Sequence, residues 1–534
     1  MQYPDSLGPP HLSLAGRLPE PSSLSLHGDT APFSRQRNMS GGLYSAYRPR
    51  MGEGADHRER KIVVAETDRW RANAVSPTSG RDFNASAPKN IELATLLDTG
   101  RWSGQQRLMV LLAALAIIMD GFDGQLIGYA APILLKEWGL ERSAFAPIIA
   151  CGLVGMAIGS SVAGAIGDRF GRKAATVGSL LLIGCATIAN GFAIGPLSLM
   201  LLRFLTGLGV GGCLPSATTL AAEFAPVRLR TYAITATIIC VPVGGMLAGL
   251  FSSVVLSTLN WHALFWIGGL LPTILAVILA FAMAESPYWL ASRPTHSDRL
   301  RRVMARLGRP IPEDAVIVEP GHKDAPKENV RFLAIFQQGR LVSTLCLWAA
   351  VFMTLLSVYT AFSWLPTMLT VQGLSPAVAG AGLTAYNMGG VIGGMFCAWA
   401  VASYGSRYPL ILFCIGGALS AFLLRDATSG TDTNWLIGGL AVHGLFVTSV
   451  QCLLYSLTAH VYPTAIRARG TATALAVGRL GAILSAFLGA AIISKGGSSA
   501  YFMTLTVAMT GAMTALAILP RHIPPARGKV LPAA

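Results

Sequence analysis

Long apolar runs separated by short polar stretches dominate the chain between residues 108 and 519. Each run holds about 20 residues, the length that a helix needs to cross about 30 Å of hydrocarbon. There are twelve runs, six on each side of a polar stretch at 285–340. They cover 108–131, 143–166, 174–194, 196–222, 231–256, 263–284, 341–365, 378–402, 408–425, 435–459, 471–493 and 500–519. The pattern predicts an all-α membrane protein with twelve transmembrane helices in two six-helix bundles.

The domain organisation follows from this pattern. Residues 1–95 lack periodicity and contain scattered Pro, Ser, Gly and Arg, so we expect a disordered tail, for which Met39 and Met51 offer alternative starts. Ordered structure should begin near Ile91–Leu97, an apolar patch expected along the membrane surface. The remaining predicted segments are a first bundle at 96–284, a central loop at 285–340, a second bundle at 341–519 and a tail at 520–534.

Composition and charge exclude several classes of protein. The chain is 52% hydrophobic and 13% charged, with a mean hydropathy of +0.53, whereas soluble domains carry about 25% charged residues. The net charge of +15 lies mostly outside the apolar runs, which favours membrane topology over nucleic-acid binding. The eight cysteines stand singly, and no phosphate-binding loop or metal-ligand spacing occurs. We therefore expect no cofactor, no metal, no nucleic acid partner and no enzymatic activity.

Lysine and arginine are distributed unevenly between the two sets of loops. The richer set should be cytoplasmic, and an even number of spans then places both termini and the central loop on that side of a bacterial-type inner membrane. The richer set contains Arg169, Arg172, Lys173, Arg228, Arg230, Arg407, Arg467, Arg469, Arg521, Arg527 and Lys529. The opposite set contains Lys136, Arg142, Arg425 and Lys495.

The two predicted halves resemble each other where the fourth and tenth spans end. The fourth ends Ala222-Glu223-Phe224-Ala225-Pro226 and the tenth ends Ala459-His460-Val461-Tyr462-Pro463, and each runs into two arginines. A parallel internal repeat leaves such a trace, and transporters built from repeats place substrate near the midplane between the halves.

Two carboxylates, Asp120 and Asp123, lie in the middle of the first span. A spacing of three residues puts them on one helix face. Burial and mutual repulsion both favour a proton on such a pair, which is the chemistry that proton symport requires. The alternative is a structural ion pair with Arg203 of the fourth span. Arg203 is itself costly in lipid, by about 2.5–3.5 kcal/mol, unless it reaches the headgroups from its position near the helix end.

Several segments resemble the major facilitator superfamily. Gly167-Asp168-Arg169-Phe170-Gly171-Arg172-Lys173 is similar to its signature between helices two and three, and Ser403–Arg407 is a weaker copy. Arg203 with Gly207, Gly209 and Gly211 resembles its helix-four motif, whose Arg is tied to proton coupling. Glu285–Leu290 resembles its Glu-Ser-Pro-Arg-Trp-Leu element, with Tyr288 in place of Arg.

The resemblance implies a conformational latch on the cytoplasmic side, not a substrate site. It assigns the latch to Gly167, Asp168, Arg169, Gly171, Arg172, Arg407, Glu223 and Arg467. We expect Glu223 to pair with Arg228 or Arg230. The resemblance also implies a monomer.

Three segments narrow the resemblance to the aromatic acid:proton symporters. They are Asp120-Gly121-Phe122-Asp123-Gly124, Ser363-Trp364-Leu365-Pro366 at the expected end of helix seven, and 462–482. The resemblance implies import of a small aromatic carboxylate, such as a benzoate, hydroxybenzoate or phenylpropanoate, together with a proton. A non-aromatic anion, an efflux antiporter and a transporter-like sensor remain as alternatives. The helix-five segment Val241–Gly245 lacks the Gly before Pro of the antiporter motif, which disfavours efflux.

The substrate-binding candidates are one arginine and six ring-bearing residues. Arg479 lies about nine residues into the eleventh span, where it can bind a substrate carboxylate in bidentate geometry or, alternatively, pair with Asp120 or Asp123. The ring-bearing candidates are Tyr129, Tyr359, Phe362, Trp364, Tyr386 and His443, each of which is also compatible with simple packing.

Overall fold

The computed structural model describes residues 90–98, 102–312, 316–318, 332–337, 339–426, 432–463 and 466–525. Residues 1–89 of the predicted tail, much of the central loop and 526–534 lie outside this part of the chain. The helices of the first part are α1 (Leu93–Asp98), α2 (Gly104–Glu137), α3 (Arg142–Phe170), α4 (Arg172–Asn190), α5 (Pro196–Phe224), α6 (Val227–Thr258) and α7 (Trp261–Ala282). They are followed by α8 (Pro287–Ala291), α9 (Ser297–Arg306), α10 (Leu341–Val371), α11 (Pro376–Tyr404), α12 (Arg407–Leu424), α13 (Thr433–Val461) and α14 (Arg467–Ile518). Short 3-10 helices occupy Pro294–His296 and Phe332–Ile335.

Eleven helices of the described chain, α2–α7 and α10–α14, are long and apolar enough to cross a membrane. The last, α14, has 52 residues, whereas about 20 residues suffice for one crossing. Inside α14, Gly497 has φ 59° and ψ −145°, outside the helical region. The sequence pattern predicted two spans here, 471–493 and 500–519, and the Gly497 break lies between them.

Two helices continue past prolines at which the sequence pattern predicted their ends. Pro132 lies inside α2 and Pro366 inside α10, and these helices end at Glu137 and Val371. The expected end of the seventh span at Pro366 is therefore wrong. Proline is tolerated within membrane helices because neighbouring helices and side chains satisfy the freed carbonyl.

The helices of the two halves pack in matching pairs. In the first half, α3 packs extensively on α5, α2 on α6, and α4 on α7. The corresponding pairs in the second half are α11 on α13, α10 on α14, and α12 on α14. The halves meet through α6 and α11, α3 and α14, and α2 and α10. This repeated packing agrees with the internal repeat expected from the two helix exits.

A short parallel strand pair is an exception to the helical architecture of the described residues. Backbone of β1 (Asn90–Glu92) pairs with β2 (Val316–Val318). The following helix, α1, buries Leu93 and Leu97 against the protein, so the apolar side chains of this patch pack on protein; its position along the membrane surface stays a prediction. Asp98 Oδ1 accepts a hydrogen bond of 2.6 Å from the backbone N–H of Val227, at the start of α6.

Candidate functional site

A narrow cavity of about 50 Å³ lies between the two halves. Its walls come from α2, α3, α5 and α6 on one side and from α10, α13 and α14 on the other. The first group contributes Asp120, Gly121, Gly124, Gln125, Met156, Val210, Leu214, Ile238, Val241 and Pro242, and the second contributes Tyr359, Phe362, Gln451, Cys452, Tyr455 and Arg479. Two of these residues, Asp120 and Arg479, have an acidic or a basic side chain, and they come from opposite halves.

Asp120 lies at the middle of α2 and is 6% exposed. Its Oδ1 is buried and has no hydrogen-bond partner within the described residues. Close helix packing creates this position: a Cβ on the neighbouring Gly121 would lie 2.9 Å from the carbonyl carbon of Val241. Only glycine lets α2 and α6 approach so closely. A buried carboxylate oxygen without a partner is costly when the group is charged.

Asp123 lies one helical turn further but faces away from the cavity. It is fully buried between α2 and α4, where its Oδ1 accepts a hydrogen bond from the Thr187 hydroxyl. Its Oδ2 has no partner in the described chain. The two carboxylates of the predicted pair thus occupy different surroundings, and Thr187 is a site residue that the sequence pattern did not single out. A polar residue inside the apolar third span was the available signal.

Arg203 is buried in α5, and its Nε and Nη1 have no hydrogen-bond partner among the described residues. It does not snorkel to the headgroups. No carboxylate of the described chain lies within the 4.0 Å of an ion pair with Arg203. The ion pairs found there are Arg172–Asp168 and Arg425–Asp426. The alternative of a direct Asp–Arg203 ion pair is therefore not realised in this conformation.

Arg479 projects from α14 into the cavity. Its Nη1 donates a 2.9 Å hydrogen bond to the Tyr359 hydroxyl and contacts the sulfur of Met156. No carboxylate of the described residues forms an ion pair with it. Since a guanidinium has five N–H donors in a planar fork, Arg479 retains donors for an incoming carboxylate.

The remaining aromatic candidates divide according to helix face. Phe362 lines the cavity and packs edge-on against Tyr359, with ring centroids 5.9 Å apart. Trp364, two residues further along α10, points to the other side, where its indole N–H donates to the Ala486 carbonyl at 3.1 Å. Residues two apart on a helix face roughly opposite directions, so the expectation that Trp364 faces the cavity with its neighbours is not met.

Three further candidates lie outside the cavity lining. Tyr129 donates to the Gly245 carbonyl at 3.3 Å. Tyr386 is buried behind Phe362, with centroids 6.0 Å apart. His443 Nδ1 lies 2.9 Å from the Ser420 hydroxyl. The Tyr386 hydroxyl and His443 Nε2 are buried without a hydrogen-bond partner among the described residues.

Three polar cavity residues were missed by the sequence pattern. Gln451 and Tyr455 are four residues apart in α13 and share one face. Gln125 follows the two aspartates of α2, and its side-chain amide forms a hydrogen bond with Asn387 of α11. Each is a polar residue in an apolar run, which is the signal that could have identified them.

The predicted latch residues cluster at the junction of α3 and α4. Asp168 forms a 2.6 Å ion pair with Arg172, and its carbonyl accepts a 3.1 Å hydrogen bond from the Trp289 indole N–H. Gly171, the only residue between the two helices, has φ 106°, a conformation that favours glycine. Gly167 is buried one turn before, and the Arg169 guanidinium lies over the Phe170 ring at 5.3 Å.

The other latch candidates lie at separate helix ends. Arg407 donates to the Ala517 carbonyl at 3.2 Å, and Arg467 Nε lies 3.5 Å from the Tyr462 carbonyl. Glu223 forms no ion pair with Arg230 in the described chain. Instead, Arg230 donates to the Ala222 carbonyl at 3.0 Å and to the Tyr288 hydroxyl at 3.4 Å.

Comparison with known proteins gives concordant matches. The model of the Major Facilitator Superfamily matches residues 113–475 and 347–533. The 4-hydroxybenzoate transporter PcaK of Pseudomonas aeruginosa is 32% identical over 440 residues, which cover 81% of this chain and 96% of PcaK. The gallate transporter of Pseudomonas putida is 32% identical over 434 residues, covering 80% of this chain and 94% of that protein.

Solved structures share the fold. The xylose transporter XylE from E. coli, in a partially occluded inward-open conformation, superposes with a TM-score of 0.62 at 17% identity. The match covers 80% of this chain and 100% of XylE. The predicted similarity to aromatic acid transporters is thus confirmed by the named relatives, and the helical fold by the structural match.

Proposed function

Since the chain belongs to the major facilitator superfamily, we propose that it imports an aromatic carboxylate together with a proton by alternating access. Like its relatives, it is a transporter rather than an enzyme. The relatives named for 4-hydroxybenzoate and gallate support a benzoate-like substrate. The proposal rests above all on one observation, the cavity between the halves in which Asp120 and Arg479 are the two charged lining residues.

The cavity walls suit an aromatic acid. Arg479, oriented by Tyr359, offers free donors to a carboxylate, and the Phe362 ring together with apolar residues such as Val241 offers a surface for a ring. Gln451 and Tyr455 supply polar groups for ring substituents. In this proposal the other aromatic candidates support the site from behind.

Asp120 and Asp123 are the proposed proton carriers, with Arg203 as the buried counter-charge. A proton binds Asp120 while the substrate carboxylate neutralises Arg479. Burying charges without compensation costs several kcal/mol per ion, so the halves close readily only when both ligands are bound. Loss of the proton and the substrate on the other side then allows the empty carrier to return.

The proposed topology has twelve spans, because the break at Gly497 divides the 52 residues of α14 into two crossings. The bundles are those predicted at 96–284 and 341–519, with both termini and the central loop in the cytoplasm of a bacterial cell. The α3–α4 junction around Asp168 and Gly171 is the proposed cytoplasmic latch, and we expect a monomer.

The test is uptake by cells that express the full chain. Labelled benzoate, 4-hydroxybenzoate, gallate and 3-(3-hydroxyphenyl)propionate are compared with aliphatic mono- and dicarboxylates, each with and without a protonophore. The expected result is uptake of one or more aromatic acids that collapses with the protonophore. Uptake restricted to aliphatic acids would refute the substrate class, and faster loss of preloaded acid would indicate efflux. Gene induction or chemotaxis without any uptake would indicate a sensor.

A further inference from the structure

A second cavity, a groove of about 610 Å³, lies at the outer surface where α4 begins and α7 ends. Its third wall is α9, and it is separate from the cavity between the halves. The groove contains four basic side chains, Lys173 of α4 and Arg299, Arg302 and Arg306 of α9. Nothing in the proposed transport cycle uses these residues.

The sequence of α9 divides into two faces. Leu300 and Met304 are buried against the protein, whereas Arg299, Arg302 and Arg306 are exposed and recur at the spacing of one helix face. The basic face of α9 is thus exposed near the ends of membrane helices, where it can attract anionic headgroups.

The positive charge of the groove is not neutralised within the described residues. Glu285 is the one acidic residue of the lining, which leaves a net charge of +3 from four basic residues and one acid. The Glu285 carboxylate is already engaged, since its Oε1 accepts hydrogen bonds from the backbone N–H of Lys173 at 2.9 Å and of Ser286 at 3.0 Å. Arg299, Arg302 and Arg306 take part in neither of the two ion pairs of the described chain.

The rim of the groove is apolar and exposed. Phe281, at the end of α7, is 87% exposed, and Phe170, at the end of α3, is 59% exposed. Along α7 the exposed surface continues with Ile274, Val277 and Ile278, which suit contact with acyl chains. A basic pocket thus adjoins an apolar surface on a membrane-spanning protein.

We propose that this groove binds an anionic phospholipid, with the phosphate headgroup among the arginines of α9 and Lys173 and an acyl chain along Phe281 and α7. Basic pockets between membrane helices bind anionic headgroups for this reason of charge. The apolar rim argues for a lipid over a free phosphate, because inorganic phosphate makes no favourable contact with the apolar side chains of Phe170 and Phe281. The proposal is independent of the substrate and of proton coupling.

The test uses the full chain purified in detergent, titrated with phosphatidylglycerol or phosphatidylcholine and examined by native mass spectrometry. The variant Arg299→Gln/Arg302→Gln/Arg306→Gln removes the basic face of α9. The matched control, Arg107→Gln/Arg469→Gln/Arg521→Gln, removes the same charge from exposed sites outside the groove. We expect wild type and control to bind phosphatidylglycerol in preference to phosphatidylcholine. The α9 variant should bind phosphatidylglycerol more weakly by on the order of a hundredfold, since each basic residue near the surface contributes about 1 kcal/mol.

A second measurement needs no variant. Amide hydrogen exchange of α9 in wild-type protein should slow in nanodiscs of phosphatidylcholine with phosphatidylglycerol, relative to nanodiscs of phosphatidylcholine alone. The proposal would be overturned if the control variant lost as much affinity for phosphatidylglycerol as the α9 variant. It would also be overturned if wild type bound the two lipids equally, or if hydrogen exchange in α9 were the same in both kinds of nanodisc. Displacement of the lipid by inorganic phosphate at equal concentration would instead assign the groove to a free anion.

Discussion

Gln125 and Asn387 exchange two side-chain hydrogen bonds between the two halves of the protein. Gln125 Nε2 donates to Asn387 Oδ1 at 3.1 Å, and Asn387 Nδ2 donates to Gln125 Oε1 at 2.7 Å. Both side chains are buried, and Gln125 also lines the cavity. In an alternating-access cycle the halves separate at each side in turn, so this amide pair would form and break once per cycle.

Single replacement of either amide by leucine should impair transport more than replacement of both. Gln125→Leu or Asn387→Leu leaves one buried amide unpaired, which costs about 1–3 kcal/mol, whereas two apolar side chains leave no unpaired group between them. The measurement is the initial uptake rate of the transported acid, corrected for the amount of protein in the membrane. If the double variant shows the product of the two single losses, the residues act independently and the pair is not a functional unit.

Loss of the Tyr359 hydroxyl should weaken substrate binding. In Tyr359→Phe, Arg479 loses the 2.9 Å hydrogen bond that orients it. Hydrogen bonds to charged groups contribute about 1.5–3 kcal/mol, so we expect the KM for uptake to rise at least about tenfold, with a smaller effect on the maximal rate. Tyr462→Phe is the matched control, because its hydroxyl donates to Thr344 at 3.5 Å, away from the cavity. A similar rise in KM in both variants would show that the effect is not specific to Arg479.

Thr187 should matter for coupling rather than for substrate binding. Thr187→Val removes the hydroxyl that donates to Asp123 while preserving the shape of the side chain. We expect the accumulation ratio to fall about tenfold, with exchange of labelled for unlabelled substrate largely retained. Thr187→Ser keeps the donor and should remain near wild type. Equal behaviour of the Val and Ser variants would contradict a role for this hydrogen bond.

The segment that follows α14 contacts Ser406 through His522 and Ile523. This contact, called docking below, should depend on pH through His522. Its Nδ1 lies 3.2 Å from the Ser406 hydroxyl and its Nε2 lies 3.1 Å from the Leu516 carbonyl. Burial lowers the pKa of His522, and Arg407 lowers it further. The docked segment therefore holds neutral His522, whereas an undocked His522 takes up a proton near pH 6.5. Docking should weaken as the pH falls below about 6.5 and should be fully established above it.

Amide hydrogen exchange of Ile523 reports this docking, because its N–H donates to Ser406 Oγ at 2.8 Å. After correction for the intrinsic pH dependence of exchange, protection should fall below about pH 6.5 in wild type. It should be independent of pH in His522→Gln. Protection that falls equally in both proteins would assign the effect to another group.

The positions of the membrane helices were largely predictable because the length of each apolar run sets whether it can span the bilayer. Eight of the twelve predicted spans lie within a helix and the other four run past its end by one to four residues. The Gly497 break falls where the pattern separated the last two spans. The errors at Pro132 and Pro366 arose because satisfaction of a freed carbonyl depends on neighbouring helices, which sequence periodicity does not reveal.

The site was only partly predictable because it depends on how each helix is rotated. Asp120 and Asp123 look equivalent in sequence, yet one faces the cavity and the other faces Thr187. Likewise, Arg479 could be recognised as a buried charge, but its contact with Tyr359 required the packing of α10 on α14. A polar residue in an apolar run, such as Gln451, gave a signal, but the helix rotation that turns it toward the cavity is not visible in the sequence.

The central claim is that Asp120 carries the proton that drives accumulation, and its most direct test is transport by purified protein in proteoliposomes under an inward proton gradient. The transported aromatic acid is supplied in labelled form to wild type, to Asp120→Asn and to Asp426→Asn, a control that removes an exposed acid. We expect wild type and Asp426→Asn to concentrate the acid inside and to lose this ability when a protonophore is added. Asp120→Asn should exchange labelled for unlabelled acid without concentrating it. Full accumulation by Asp120→Asn, driven by the same proton gradient, would contradict the account.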